Sequence, residues 1–78
     1  MPVDTSKITD KQLQDFAGED DLNEVCYDIQ SEIGQTDGGV AGMFFTSEKE
    51  TLWETSNKNV RFQMLKEYLT LEKSYSKL

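Results

Sequence analysis

One cysteine and no histidine in 78 residues deny this chain the cross-links on which small domains ordinarily lean. Cys26 has no mate for an internal disulfide, and a zinc site would lack imidazoles and a second thiolate. A chain of this length buries only about 60% of the surface that its unfolded form exposes. What holds it must therefore be a small apolar core, or that core extended by a second subunit. With 36% hydrophobic and 29% charged residues the composition is that of a folded chain rather than a disordered one. The expectation is a single domain over residues 1–78, with 1–7 as a frayed leader.

Local signals divide the chain. Thr9 followed by Gln12 has capping-box spacing, with Ile8 and Leu13 at staple positions. They open a short helix carrying Leu13, Phe16 and Ala17 inward and stopping at Gly18. A second helix starts at Asp20 or Asp21, where Asp21 and Glu24 again have capping-box spacing. Along it Leu22, Val25, Cys26, Ile29 and Ile33 fall within an arc of about 100°, and Gly34 suits the position after its end. Gln35-Thr36-Asp37-Gly38-Gly39 is turn chemistry. Val40 to Thr46 then reads as a strand, and Thr51 to Thr55 has high β propensity. A hairpin looping at Ser47–Glu50 would set Phe45 opposite Leu52 and Phe44 opposite Trp53. The rival reading makes Ser47 an N-cap with Glu50 at N3 and the segment a short helix. After a break at Ser56–Asn59, a long helix runs to about Ser74. Its apolar residues spread over about 200°, twice the width in the second helix. Lys73 and Lys77 suit the negative end of its dipole. The fold class expected is α+β: two short N-terminal helices, a β-hairpin and a long C-terminal helix.

Charge is divided as unevenly as structure. Met1 to Asp37 holds ten acidic and two basic residues; Gly38 to Leu78 holds five and six. Asp20, Asp21, Glu24, Asp28 and Glu32 line one side of the second helix. Negative charge is favoured at its first turn and disfavoured at its last, so Glu32 is the least comfortable of them. The like-charge pairs four residues apart each cost about 0.2–0.5 kcal/mol in an isolated helix. The stripe is then either a solvated face, or one relieved from within by Lys58, Arg61 or Lys66 lying alongside, or a face for a partner.

Several chemistries are disfavoured. A net charge of −7 opposes direct contact with nucleic acid or an anionic membrane. The longest apolar stretch, Val40 to Phe45, is too short to span a bilayer. The start has no basic and apolar signal pattern, and the lone cysteine fits a reducing cytoplasm. The glycines at 34, 38, 39 and 42 follow a helix rather than a strand, the wrong order for a phosphate loop. Asp37-Gly38 lacks the other ligands of a calcium loop, and Glu19-Asp20-Asp21 offers at most weak cation binding. Without histidine the commonest general base is missing, and Cys26 sits on the apolar side of its helix as a core residue. No catalytic residue, metal or cofactor is expected.

The leading expectation is a non-catalytic cytoplasmic protein that offers Asp20, Asp21, Glu24, Tyr27, Asp28 and Glu32 to a basic surface on a partner protein. Tyr27 falls on the polar side of the helix, beside the stripe, and tyrosine is enriched at interfaces. A sharper form is a nucleic-acid-mimicking inhibitor of the kind mobile elements encode, seated in the groove of a nucleic-acid-binding protein. The alternative is a structural component that forms a homodimer through Met64, Tyr68, Leu71 and Tyr75 of the last helix.

Overall fold

The computed structural model describes residues 3–35 and 40–76, and among these there is no strand. After a 3-10 turn at Thr5–Lys7 come five helices: α1 (Asp10–Ala17), α2 (Leu22–Ile33), α3 (Ala41–Phe44), α4 (Ser47–Thr55) and α5 (Lys58–Ser76). The expected α+β class is thus overturned: the region read as a hairpin is two helices, and the domain is all-helical.

The reason lies in spacing and capping. Val40, Ala41 and Phe44 turn inward while Gly42 and Met43 face out, which is helical spacing and not alternation. Phe44 N donates to Val40 O at 2.9 Å and Phe45 N to Ala41 O at 2.8 Å, closing one turn. Thr46, one residue before the rival candidate Ser47, caps α4 by accepting from Lys49 N at 3.3 Å. Glu48 and Glu50 then lie in the first turn, where the dipole favours them. Thr51 and Thr55, which raised the β propensity, donate their hydroxyls to the carbonyls of Ser47 and Thr51, each at 3.1 Å. Trp53 is fully buried and Leu52 is half-exposed on the same helix, so the expected pairings with Phe44 and Phe45 across a hairpin do not form.

The other helices follow their sequence signals closely. The Thr9–Gln12 capping box is formed, with Gln12 N to Thr9 Oγ1 at 3.2 Å and Thr9 N to Gln12 Oε1 at 2.9 Å. Asp21 caps α2 by a different bond from the one expected, accepting from Asn23 N at 3.1 Å. Gly34 ends α2 at φ 81°, the left-handed conformation that favours glycine. Asn57 Oδ1 accepts from Val60 N at 3.0 Å where α5 begins. The turn residues 36–39, with the calcium-loop candidate Asp37-Gly38, lie outside the described residues.

The wide apolar arc of α5 is explained by its central place. It packs along α1, buries Met64, Leu65 and Tyr68, and holds Phe62 and Leu69 partly buried. Tyr68 meets the ring of Phe45 at 4.7 Å and that of Phe44 at 5.8 Å between centroids. From the other side Leu22, Val25, Ile29 and Ile33 of α2 close the core. Within the leader, Asp4 N donates to Ile33 O at 3.0 Å, so the chain entry is tied to the end of α2.

Two charged side chains of α5 are buried. Arg61 lies where two helices end: its Nε donates to Trp53 O at 2.8 Å, and one terminal nitrogen donates to Ala17 O at 3.1 Å and Glu19 O at 3.2 Å. Both α1 and α4 thus turn the negative ends of their dipoles on one guanidinium. Trp53 Nε1 donates to the same Glu19 carbonyl at 2.8 Å, and Arg61 stands over the indole at 5.0 Å. Glu72, fully buried, accepts from Val40 N at 2.7 Å and Gln35 Nε2 at 2.9 Å. One carboxylate therefore grips both flanks of the 36–39 segment and fixes α3 beside α2.

Arg61→Met keeps the apolar stem but removes the guanidinium donor from the buried Trp53 and Ala17 carbonyls, the Glu19 carbonyl keeping the Trp53 indole. It is expected to cost about 2–4 kcal/mol in urea unfolding; a loss below about 0.5 kcal/mol would show that the junction does not depend on this side chain.

Candidate functional site

The surface of α2 has two flanks beside its buried stripe. On one lie Glu24, Asp28 and Glu32, one helical turn apart and about 6 Å from one to the next along the axis. All three are exposed, and among the described residues none has an ion-pair or hydrogen-bond partner. No basic residue occurs within α2.

The cations proposed to relieve them from within the fold are placed elsewhere. Arg61 serves the α1–α4 junction and reaches only Asp20, at 3.4 Å. Lys66 pairs with Asp10 at 3.0 Å. Lys58 lies over the end of α1, where its Cε would stand 3.5 Å from a Cβ at Gly18. The six expected contact residues therefore divide. Asp20 makes an exposed contact with Arg61 and Asp21 caps the start of α2, while Glu24, Asp28 and Glu32 are uncommitted among the described residues. Tyr27 is 73% exposed.

The second flank was not anticipated. Asn23, Cys26, Tyr27 and Gln30 of α2 face Ala41 and Gly42 of α3 and Phe45 just beyond it across an open groove of about 310 Å³. No charged side chain lines it. Met43, on the outer side of α3, is 74% exposed, so Tyr27 and Met43 are the two most exposed large apolar side chains described. The strand reading concealed this feature, because alternation along a strand would put Met43 on the same face as Phe45. The usable signal was the helical spacing of Val40, Ala41 and Phe44, which leaves Gly42 and Met43 outward.

Behind the groove Cys26 and Tyr68 favour their neutral forms. Burial, and then the Glu72 charge, push the Cys26 thiol up to about 11, so at neutral pH it is an unreactive thiol and not a nucleophile. The same two causes, in the same order, push the Tyr68 hydroxyl well above its ordinary value. That hydroxyl is buried without a well-formed hydrogen bond, although the nearby Gln30 side chain opposes part of the upward push.

Of the expected dimer contacts, Met64 and Tyr68 belong to the chain's own core, being 5% and 0% exposed. Leu71 and Tyr75 remain on the surface. Among the described residues no three Cys, Asp or Glu side chains gather as a ligand set, and no helix is long and apolar enough to cross a membrane. No protein-family model matches the chain, and neither does any curated protein or solved structure.

The raised Cys26 and Tyr68 values carry a pH dependence of fixed sign. In the unfolded chain these groups ionise near pH 9 and pH 10, while the folded state holds both protonated to higher pH. The stability they contribute is complete below about pH 9 and is lost as pH rises beyond it. Tyr68→Phe should change stability at neutral pH by less than about 0.5 kcal/mol, since no good hydrogen bond is removed. It should also move the alkaline unfolding midpoint upward. A loss above about 1.5 kcal/mol at pH 7 would reveal a strong bond to Gln30 instead.

Proposed function

We propose that this chain is a non-catalytic interaction protein of a reducing compartment, and that it offers the exposed side of α2 to a basic surface on a partner protein. One observation carries the reading: Glu24, Asp28 and Glu32 repel one another on a helix without a cation, and among the described residues Arg61, Lys66 and Lys58 lie at other places. The repulsion weakens α2, and a Lys- or Arg-lined surface would turn that cost into attraction. Tyr27 supplies an exposed aromatic contact beside the carboxylates, of the kind enriched in interfaces. Charge complementarity of this sort steers association and makes it fast and salt-sensitive.

A nucleic-acid-binding protein is one partner with such a surface. Competition with DNA or RNA for one binding face would support that narrower identity, and simultaneous binding of both would remove it. The dimer reading has less behind it, because two of its four contact residues lie in the chain's own core.

The test is the variant Glu24→Gln, Asp28→Asn, Glu32→Gln, which removes three charges and keeps the side-chain shapes. A lysate partner held by the wild-type chain at about 0.05 M salt should be released by about 0.5 M, where the Debye length has shrunk several-fold, and should not be held by the variant. Equal retention by both proteins at both salt concentrations would end the proposal.

A further inference from the structure

The acidic ridge and the uncharged groove run side by side along the same two turns of α2. On the helix surface Tyr27 stands about 100° from Cys26 and about 60° from Glu24, so its side chain forms the crest between them. A partner that covers Tyr27 meets carboxylates on one side and the groove on the other. Glu72 maintains this arrangement from below, because its grip on Gln35 and Val40 holds α3 beside α2.

We infer that the groove between α2 and α3 receives one large apolar side chain of the partner, and that the segment carrying it is flanked by lysines or arginines that meet Glu24, Asp28 and Glu32. The inference rests on the acidic-face reading above and adds the identity of the recognised segment: a basic stretch with a single aliphatic or aromatic anchor. Charge complementarity selects this occupant. Every charged residue of α2 is acidic, and the chain as a whole carries a net −7, so a second copy would bring like charge to the ridge. The groove itself has no charge to satisfy, and desolvating it against an apolar side chain strands none. Tyr27 and Met43, each about three-quarters exposed, then become its closing walls, in the manner of aromatic and methionine contacts at interface centres.

Gly42 offers a clean way to test this. A Cβ built there meets nothing within 4 Å, and the residue is helical without a positive φ, so a large side chain enters the groove and not the core. The probes are two synthetic lysine–serine peptides, one with a single central leucine and the other with alanine in its place. Each is titrated into the full-length chain at one low ionic strength and followed by backbone amide NMR shifts. The leucine peptide should bind about fivefold more tightly, with shifts at Cys26, Gly42 and Phe45 as well as along the ridge. Gly42→Trp, with its helix content checked by circular dichroism, should abolish that advantage and leave the alanine peptide unaffected. If the two peptides bind alike and the shifts stay on the ridge, the groove proposal is overturned while the acidic-face reading stands. If the leucine advantage survives in Gly42→Trp, the anchor sits elsewhere and the proposal is likewise overturned. If neither peptide binds, both readings fall.

Discussion

The Arg61 guanidinium is the joint on which this small domain turns. It donates to the carbonyl ends of α1 and α4 at once and shares the Glu19 carbonyl with the Trp53 indole. A chain without disulfide or metal has few ways to fix two helix ends that lie far apart in sequence. Backbone carbonyls at helix C-termini are acceptors that must find donors in any case, and a planar cation with several N–H groups can serve more than one of them. The indole stacked beneath it completes the enclosure. The ion pair with Asp20 is a minor part of this, because that carboxylate is almost wholly in water and exposed pairs contribute little.

This use of Arg61 has a consequence for α2. The buried Arg61 is directed inward to carbonyls, Lys66 is engaged with Asp10, and Lys58 lies over the end of α1. The acidic side of α2 is left to itself. The fold therefore tolerates a self-repelling helix face that a few substitutions would relieve. A second buried charge, Glu72, works in the complementary sense. It gathers donors from both flanks of the α2–α3 connection, sets α3 against α2, and so creates the uncharged groove beside the ridge. Two buried ions of α5, one positive and one negative, thus shape the surface that α2 presents.

Helices α1, α2 and α5 were legible in the sequence because their information is local. Thr9 with Gln12, Gly34 in its left-handed turn, and the spacing of Leu22, Val25, Ile29 and Ile33 each act within a few residues. Residues 40–55 were not legible by propensity, since Thr51, Trp53 and Thr55 favour strands only while their packing is unknown. In the fold Trp53 is drawn into the core and the threonine hydroxyls bond to the preceding turn, and tertiary contacts override a weak preference. The acidic ridge could be read from spacing, as could the exposure of Tyr27. The burial of Arg61 and Glu72 could not, because their partners come from helix ends and loop flanks that only the assembled fold brings together. The groove was hidden for the same reason, since its far wall is α3.

The central claim is that Asp28 and Glu32 are left unpaired by the fold and repel one another. The most direct measurement is urea-unfolding stability across ionic strength, from about 0.01 M to about 0.5 M, for the wild-type chain and for Asp28→Asn, Glu32→Gln. The account predicts a double variant more stable at low salt by about 0.5 kcal/mol, with the gap closing as salt screens the wild-type repulsion. A double variant less stable than wild type at low salt, with that deficit shrinking as salt is added, would mean that the carboxylates are neutralised within the molecule and would contradict it.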